Sequence, residues 1–454
     1  MKTALVLFTR DLRVHDNPAL AAAARESETV VPLFVLDPEI LATFGAPNRA
    51  AFLLDSLADL DRSLTGLGAR LVIRRGDVVE ETTRIAAESE AGAVHLAEDV
   101  SAYAQRREGR LRSALAESRR ELRTATGVTV VPPGDLAPVG TGGPYRVFTP
   151  YWNRWKLAAL RSVLGAPERL APAAGAVESD QLPLLGDLVP APASPSLPRG
   201  GEREGRARLA RWLDDGIAAY RTSAEDLTSS TTSGLSPYLH FGCVSALEVV
   251  EGARERPGGE AFIRQMCWRD FHHQLHAADP SISGRDLRPR GDRWRDDPEA
   301  LERWQEGLTG YPIVDAAMRQ LRSEGVMHNR ARLVTASFLA KHLYLDWRQG
   351  AAHFARQLVD GDVANNTGNW QWVAGTGADT RPNRVFNPLR QARSLDPNGE
   401  YVRRWIPELA GIDGPAVHEP WHLPHATRGA YPLPIVDHDE AVSRFRAARG
   451  LEIG

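Results

Sequence analysis

The sequence is poor in sulfur-containing residues, with two cysteines and four methionines among 454 residues. Cys243 and Cys267 could form one disulfide at most, which excludes a small secreted scaffold built on disulfides and favours a reducing cytoplasm. Two thiols are also too few for an iron–sulfur cluster, which normally takes a full set of cysteine ligands. Neither cysteine indicates a metal site.

Long apolar runs are missing as well. No stretch approaches ~18 apolar residues, the length that can span a bilayer, so we expect no membrane-spanning segment. The apolar run before Arg10 has about five residues, too few for the core of a secretory signal. These two absences predict a cytoplasmic protein.

A strong net charge of either sign is absent. The chain has 55 basic and 58 acidic residues and a formal net charge of −3 at pH 7. This excludes a strongly basic coat protein for nucleic acid but leaves room for a local basic groove. A hydrophobic fraction of 43% is typical of a globular protein, and the length predicts more than one domain.

The first ~130 residues alternate β-rich runs with alanine-rich helical runs. This alternation predicts an α/β domain with a doubly wound parallel sheet. No G-x-G-x-x-G follows the first run, so the ordinary dinucleotide fingerprint is missing. The predicted strands are 3–8, 29–37, 69–77, 92–99 and 128–133, with helices over 17–27 and 48–66.

The composition changes after this region. Residues 165–200 are rich in alanine, proline and glycine, which predicts a surface linker without helix or strand. From residue 203 the pattern is helical almost to the end. We therefore predict an α/β domain over 1–130, a linker over 131–202 and a larger all-helical domain over 203–454.

Aromatic and basic residues concentrate in the second half of the chain. Eight of the eleven tryptophans lie between 268 and 421, and residues 319–404 contain 13 basic against 7 acidic residues. Basic residues interleaved with aromatic ones suit a phosphate backbone with stacked bases. Buried tryptophans and a solvated basic face would explain the same composition in any large helical domain.

Two local patterns are more specific. TTSGLSPYLHFG (231–242) places hydroxyls ahead of an apolar run, which could bind a diphosphate at a helix N-terminus or simply cap the helix. FIRQMCWRDFHHQL (262–275) predicts one helix that brings Gln265, Trp268 and Arg269 within a turn of each other.

Several long motifs in one order resemble the photolyase/cryptochrome flavoprotein family. The resemblance extends from FTRDLRVHDNPAL at 8–20 to HEPW at 418–421 and so covers nearly the whole chain. It implies an α/β antenna domain and an all-helical domain that holds FAD in a U-shaped conformation. The remaining motifs are WRDF, TGYPIVDAAMRQL, HNRARLVTASFL, DGDVANNTGNWQW, RVFNP and YVRRWIPEL.

The resemblance implies which residues bind FAD. One group would surround the phosphates and the ribityl chain, and another the isoalloxazine and the ribose. An Arg332–Asp360 ion pair beside the flavin would stabilise an anionic reduced ring. Asn366 would face flavin N5. The first group is Tyr220, Thr232, Ser233, Gly234, Leu235 and Ser236, and the second is Arg269, Arg332, Asp360 and Asp362.

The resemblance also assigns the tryptophans. Trp370, Trp347 and Trp294 match an electron-transfer triad that reduces the excited oxidised flavin from the surface. Trp268 and Trp372 would wall the pocket in which a flipped dinucleotide lesion stacks. Further substrate contacts are expected from Asn329, Arg330, Leu333 and Arg384, with Arg381 and Arg390 as additional candidates for the phosphates.

The implied reaction is light-driven repair of cyclobutane pyrimidine dimers in DNA. Excited FADH⁻ donates one electron to the dimer, two carbon–carbon bonds open and the electron returns. Two residues depart from the usual pattern, because many such enzymes have a glutamate at Gln265 and often a methionine at Leu333. Glutamine can still bind the lesion but cannot donate a carboxylic proton. (6-4) photolyases carry histidines where this chain has Asn329 and Leu333, so repair of (6-4) lesions is not expected.

The antenna chromophore is predicted from the α/β domain. Around Phe34, Asp37, Asp99 and Tyr103 the chain resembles members that bind 8-hydroxy-5-deazaflavin. Folate-binding members have a glutamate at the position of Ala104, so methenyltetrahydrofolate and an empty pocket are the alternatives.

Two other interpretations stay open. One is a cryptochrome-like blue-light photoreceptor without repair activity, which Gln265 and Leu333 allow, although Asn366 favours a repair enzyme. The other is a zinc site on the helix with His272, His273 and His276, of which two could share one face. The prediction that we carry forward is a monomeric enzyme acting on damaged DNA, with FAD and no metal.

Overall fold

The computed structural model describes residues 2–138, 140, 142–173, 175, 177–228 and 232–451. Thr231, the first residue of the hydroxyl-rich stretch, lies outside them. The chain forms two compact units. The first unit comprises residues 1–193, 198–221 and 233–281, and the second comprises 194–197, 222–232 and 282–454.

The first unit contains a parallel five-stranded sheet in the order β3-β2-β1-β4-β5. Its central strands are runs of Val, Leu and Ala that are buried along their length, as both faces of a parallel sheet require. The strand order reverses at β1, and the carboxyl ends of β1 and β4 there form the crevice where such folds bind ligands. The strands are β1 Thr3–Leu7, β2 Thr29–Leu36, β3 Val72–Arg75, β4 Ala93–Ala97 and β5 Glu121–Ala125.

Helices connect these strands and continue beyond them. Several begin at a side chain that accepts a backbone N–H, as Asn17 does for α1 and Asp77 for α4. The helices before residue 282 are α1 Pro18–Glu26, α2 Pro38–Phe44, α3 Pro47–Gly66, α4 Val78–Glu88, α5 Ala102–Glu117, α6 Phe148–Trp155, α7 Leu185–Leu188, α8 Glu202–Arg211, α9 Tyr220–Ser223, α10 Ser236–His240, α11 Ala246–Arg254 and α12 Gly259–Ala278.

The second unit is largely helical. Its core includes Trp304, Phe338 and Trp347, each fully buried. A π-helical turn over Phe338–Leu343 follows α15 and ends at Tyr344, whose φ of 55° is left-handed. The helices are α13 Pro298–Glu306, α14 Pro312–Glu324, α15 Asn329–Ser337, α16 Trp347–Gln357, α17 Val363–Ala374, α18 Pro388–Leu395, α19 Glu400–Trp405, α20 His425–Arg428 and α21 His438–Ala448.

The predicted fold class is confirmed, but the fifth strand was wrongly placed. Residues 128–133 are not a strand, because the amides of Val130 and Val131 donate to the buried carboxylate of Asp270 at 3.0 and 2.9 Å. The real strand β5 is the partly exposed edge of the sheet and has the sequence ELRTA. A polar edge strand gives little hydrophobic signal, whereas VTVVPP is apolar because it packs in the interior.

The predicted linker is more structured than expected. Helix α6 lies within residues 131–202 and buries Phe148, Tyr151, Trp152 and Trp155. The prediction that 165–200 contains no helix is wrong, because the short helix α7 lies there. Aromatic side chains at helical spacing make α6 part of the first unit's core rather than a spacer. Most of the stretch 165–200 is irregular, as predicted. The domain boundaries after residues 130 and 202 stay predictions.

Among the residues that the structure describes, none of the helices is long and apolar enough to cross a bilayer.

Candidate active site

Helix α17 carries the amides and tryptophans of NNTGNWQW. Asp362 caps it by accepting the N–H of Asn365 at 2.7 Å, and Asp362 itself is 5% exposed. The backbone N–H of Asp362 donates to Asp360 O at 2.6 Å, which folds the acidic pair tightly against the start of the helix. The motif DGDVANN therefore forms the start of α17, with Asp362 as its cap and the backbone N–H of Asn366 donating to Asp362 O at 2.8 Å.

The side-chain amide of Asn366 is oriented by a neighbouring helix. Its Nδ2 donates to the carbonyl of Ala351 on α16 at 2.9 Å. A carbonyl can only accept, so this contact fixes which end of the amide is nitrogen. The carbonyl oxygen Oδ1 of Asn366 is consequently directed away from Ala351 and can accept a hydrogen bond from a bound group.

The predicted Arg332–Asp360 ion pair is present in the second unit. Arg332 Nη2 lies 2.8 Å from Asp360 Oδ2, and Arg332 Nε donates to Met327 O at 2.8 Å. The Asp360 side chain is 4% exposed and that of Arg332 25%. The pair thus presents a fixed, partly accessible guanidinium, backed by a buried carboxylate.

Trp370 and Trp372 point to different surroundings, because residues two apart on a helix are separated by about 200°. Trp370 is 2% exposed and belongs to the core of the second unit. Its indole rests on Gly350 of α16, where a Cβ would lie 2.2 Å from Cη2 of the ring. Trp372 is only partly buried, and the Arg384 guanidinium lies 6.0 Å from its ring.

The other two tryptophans of the predicted triad lie in the same unit. Trp347 is fully buried, and its Nε1 donates to Asp286 Oδ1 at 2.9 Å. Trp294 is partly buried against the same core, with its ring 5.0 Å from that of Tyr344. Trp347 begins α16, the helix that also carries Gly350, so the Trp347 helix packs directly on the Trp370 ring.

The predicted DNA contacts of the second unit lie at its surface. Asn329 begins α15, and Arg330 is paired with Glu225. His328 caps α15, and burial beside Arg332 and Arg330 lowers the pKa of its imidazole to about 4. Leu333 and Trp372 are both partly buried and pack against the same hydrophobic core. Thr232 is exposed.

Helix α12 presents the predicted substrate residues of the first unit. Gln265 is exposed, and Trp268 and Arg269 are half-buried, as expected for positions three and four residues apart on one face. The Trp268 ring stacks on Phe148 of α6 with centroids 3.7 Å apart and planes within 4°. Phe148, which sequence reasoning missed, therefore supports one face of the proposed lesion wall.

Arg269 is held by backbone carbonyls. Its Nη1 donates to Val128 O at 2.6 Å and its Nη2 to Leu239 O at 3.4 Å. The next residue, Asp270, is buried, and burial raises the pKa of its carboxyl to about 6. Asp270 accepts from Trp155 Nε1 at 2.9 Å and is a structural anchor rather than a group open to substrate.

The predicted diphosphate segment lies before the short helix α10. Ser233 Oγ accepts the N–H of Leu235 at 3.3 Å, and Ser236 is the first residue of α10. Gly234 has a φ of 60°, and a Cβ there would lie 2.5 Å from Arg208 Nη1. Arg208, on α8, thus places a cation directly over this segment. No sequence motif pointed to it, because the contact spans more than twenty residues.

Tyr220 begins α9 and is surrounded by aromatic rings. Its ring centroid lies 5.6 Å from Trp212 and 5.4 Å from Phe262, both in edge-on geometry. These contacts set the position of the phenol ring.

The four predicted antenna residues lie at the carboxyl end of the sheet. Tyr103 on α5 donates its hydroxyl to Asp37, which follows β2, and that bond together with burial raises the Tyr103 pKa. Asp99, which follows β4, is paired with Arg10 at 2.9 Å. Phe34 is buried on β2. Asp37 is thus hydrogen-bonded to Tyr103, whereas Asp99 forms an ion pair with Arg10.

The side chains of the three histidines of α12 are buried. His273 Nδ1 lies 2.8 Å from Arg269 O, and His276 Nδ1 lies 3.3 Å from His272 O, so both rings bond to carbonyls one turn back. Among the described residues, no group of three or more His, Cys, Asp or Glu side chains is placed to hold a metal. The zinc hypothesis thus gains no support.

Comparison with known proteins now identifies the family. Residues 4–172 match the model described as DNA photolyase, and residues 262–450 match that of the FAD binding domain of DNA photolyase. The chain belongs to the DNA photolyase family. It therefore contains the family's FAD-binding domain, and the predicted cofactor class is confirmed at that level.

The relatives match along the whole chain. A deoxyribodipyrimidine photo-lyase of Streptomyces griseus is 54% identical, with 100% of both chains covered. A cryptochrome DASH of Gloeobacter violaceus is 37% identical over 96% of this chain and 93% of its own. The crystal structure of a class III photolyase from Agrobacterium tumefaciens superposes with a TM-score of 0.92 at 32% identity, covering 99% of this chain and 97% of the other.

Proposed function

We propose that this photolyase repairs cyclobutane pyrimidine dimers in DNA by light-driven electron transfer from reduced FAD to a flipped lesion. The observation that carries the proposal is the 54% identity, without gaps in coverage, to a protein named for that activity. The dimer is split without hydrolysis and without net redox change, because the electron returns after the two carbon–carbon bonds open.

The described residues fit FAD chemically. When bound, FAD supplies the light absorption and the transferable electron. Arg208 and the hydroxyls of Ser233 and Ser236 offer a cation and donors for its phosphates. Asn366 offers its Oδ1 as an acceptor for a ring N–H, since its Nδ2 is committed to Ala351.

The Arg332–Asp360 pair sets the charge beside the proposed ring site. The exposed side of the Arg332 guanidinium can stabilise an anionic ring, and Asp360 holds that guanidinium in place. The remaining proposed FAD contacts are Tyr220, Thr232, Gly234, Leu235, Arg269 and Asp362.

Trp268 of the first unit and Trp372 of the second are each proposed to offer an apolar ring face to the lesion. Each is incompletely buried, so each offers a ring face, and Phe148 behind Trp268 keeps that ring rigid. Exposed Gln265 offers an acceptor and two donors to the base edges. Leu333 contributes apolar contact, and Asn329 a further polar one.

Basic residues of the second unit are proposed to bind the flanking phosphates. Arg330 is held by Glu225 in the free protein and would exchange this partner for a phosphate. Arg384 lies over both Trp372 and Phe386, at 6.0 and 4.4 Å. A phosphate bound by Arg384 would therefore place its base next to Trp372.

The antenna is proposed to be 8-hydroxy-5-deazaflavin, bound by Phe34, Asp37, Asp99 and Tyr103. Support comes from the placement of all four at the carboxyl end of the sheet, with Asp37 and Tyr103 in contact. Methenyltetrahydrofolate and an empty pocket are the alternatives. An absorption spectrum of the purified protein separates the three cases, because deazaflavin, folate and flavin bands differ.

A blue-light photoreceptor is the second candidate function. The 37% identity to a protein named cryptochrome DASH keeps a cryptochrome-like role open, as do the departures at Gln265 and Leu333. The two functions differ in one measurable respect: a photoreceptor without repair activity leaves the dimer intact.

The test is irradiation of the FAD-reduced protein with an oligonucleotide that contains one cyclobutane dimer. Recovery of the thymine absorbance in light but not in darkness is expected. A matched oligonucleotide with a (6-4) lesion should stay unrepaired. If the cyclobutane dimer is not split although the spectrum confirms reduced flavin, the proposal is overturned. We also propose a cytoplasmic monomer, for which mass measurement in solution tests the oligomeric state.

A further inference from the structure

Trp347 and Trp370, two buried members of the predicted electron-transfer triad (the proposed electron route), differ in how their indole N–H groups are hydrogen-bonded. Trp347 is fully buried and donates from Nε1 to the carboxylate of Asp286 at 2.9 Å. Trp370 is 2% exposed, and its Nε1 has no hydrogen-bond partner among the described residues. The same side chain therefore sits in two different electrostatic environments within one unit.

Asp286 is held in position by Arg348. Arg348 Nη2 donates to Asp286 Oδ1 at 2.9 Å, and its guanidinium carbon lies 4.9 Å from the Trp347 ring. The same guanidinium pairs with Asp346 at 3.0 Å and donates from Nε to Gly284 O at 2.7 Å. The carboxylate of Asp286 is 15% exposed, so solvent screens it only in part.

We propose that Asp286 is a positioning residue that makes Trp347 easier to oxidise than Trp370. This inference rests on the proposed electron route. An indole that loses an electron becomes positively charged, and a carboxylate hydrogen-bonded to its N–H stabilises that charge. Among the residues that the structure describes, Trp370 has no such acceptor. The positive charge is consequently more stable on Trp347 than on Trp370, which slows its return.

The electron balance of this step is simple. With FAD bound, Trp370 would first give one electron to the photoexcited oxidised ring. Trp347 then gives one electron to oxidised Trp370, which is restored, while Trp347 carries one positive charge. The Nε1 proton stays within the hydrogen bond to Asp286, so no proton is released. No further oxidant or reductant is required.

Arg348 should act in the opposite direction. Its positive charge near the Trp347 ring raises the energy of the oxidised indole, although the pairing with Asp286 and Asp346 reduces this effect. Removal of the carboxylate charge and removal of the guanidinium charge are therefore expected to change the oxidation of Trp347 with opposite signs. A purely structural role would give the same sign for both.

The experiment compares Asp286→Asn with Arg348→Gln in the flavin-loaded protein. Transient absorption after a light flash measures how long the oxidised tryptophan survives before recombination. Asp286→Asn keeps a side-chain acceptor for the indole but removes its charge, and should shorten that lifetime by about tenfold, as expected from the loss of a charge-assisted contact. Arg348→Gln should lengthen it, and Arg348→Lys, which keeps the charge, should match the wild type.

A second readout does not depend on flavin activity. In protein labelled with ¹⁵N at the tryptophan indoles, the Trp347 N–H resonance, assigned with Trp347→Phe, should shift in Asp286→Asn. The Trp370 resonance should stay unchanged. These two results establish that the variant alters the intended hydrogen bond in a folded protein.

The outcomes separate the possible failures. If Trp370→Phe stops photoreduction but Asp286→Asn leaves the lifetime unchanged, the role of Asp286 is refuted and the electron route stands. Equal shortening by Asp286→Asn and Arg348→Gln would also refute it. If Trp370→Phe leaves photoreduction intact, the proposed route itself is wrong.

Discussion

Helix α17 and the carboxyl end of the sheet differ in how their predicted site residues are bonded. On α17, Asn366 keeps its side-chain oxygen available, and buried Trp370 has no hydrogen-bond partner for Nε1 among the described residues. At the sheet end, Tyr103 bonds to Asp37, and Asp99 pairs with Arg10.

This difference bears on how firmly each ligand can be assigned. The side-chain oxygen of Asn366 is left available to a bound group, as a cofactor site requires, since the ligand completes its bonding. Residues that already satisfy each other must exchange partners before an antenna can bind. The available oxygen of Asn366 is thus compatible with the FAD proposed at α17, whereas the bonded residues at the sheet end are compatible with more than one chromophore.

The largest effect is expected from Trp370→Phe. Phenylalanine keeps the packing against Gly350 but is much harder to oxidise, so photoreduction of oxidised FAD should fall by about 100-fold, equivalent to ~2.7 kcal/mol. Absorbance of the flavin during blue illumination with an external reductant measures this rate. Tyr103→Phe, at the sheet end, serves as the control and should photoreduce normally.

A pair of glycines compares packing in the two regions. A Cβ at Gly350 would meet the Trp370 ring at 2.2 Å, so Gly350→Ala should destabilise the protein by about 1–3 kcal/mol. Gly109 on α5, the helix of Tyr103, has nothing within 4 Å of its Cβ position. Gly109→Ala should therefore stabilise by about 0.5–1 kcal/mol. Denaturant unfolding measures both, and equal shifts would show that Trp370 is loosely packed.

The pH dependence of stability should depend on His353 of α16. This side chain is 9% exposed, and burial lowers its pKa to about 4, with Arg356 and Arg322 adding to the effect. The unfolded chain binds its proton near pH 6.5, so it takes up more protons than the fold between pH 6.5 and 4. Stability from His353 is therefore lost as the pH falls through this window.

The matched variant is His353→Leu, which cannot titrate. Wild type should lose about 1 kcal/mol more per pH unit than this variant below pH 6.5. Thermal unfolding at a series of pH values measures the difference. Parallel curves would mean that His353 is protonated without cost in the fold.

The smallest effect is expected from Tyr103→Phe. Loss of the hydrogen bond to Asp37 should cost about 0.5–1.5 kcal/mol of stability, because Asp37 retains its second role as the cap of α2. Antenna occupancy, read from the ratio of antenna to flavin absorbance, should fall while FAD content stays constant. Unchanged antenna absorbance would place the chromophore elsewhere.

Sequence reasoning located the elements that have a strong periodic signal. Strands β1 to β4 and helix α12 were predicted within a few residues, because their apolar residues recur with the period of the element. Strand β5 was missed because ELRTA is a partly exposed edge, and the apolar run at 128–133 instead packs around Asp270. Helix α6 was missed because it lies next to a proline- and glycine-rich stretch.

The candidate site was predictable only in part for a similar reason. Residues within motifs, such as Asn366 and the Arg332–Asp360 pair, were found by resemblance, and the pair is present. Residues that support them from distant positions carry no local pattern. Asp286 reaches Trp347 across 61 positions, and Phe148 stacks on Trp268 from another helix. Such partners are determined by tertiary packing and become visible only in the fold.

Helix α17 is proposed to supply electrons through Trp370 and to bind the lesion at Trp372. The most direct test measures dimer repair and FAD photoreduction in both Trp370→Phe and Trp372→Ala. With chemically reduced flavin, Trp370→Phe should repair nearly as wild type, whereas Trp372→Ala should bind dimer DNA more weakly by about 1–3 kcal/mol and photoreduce normally. Loss of both activities in each variant would contradict the separation of roles.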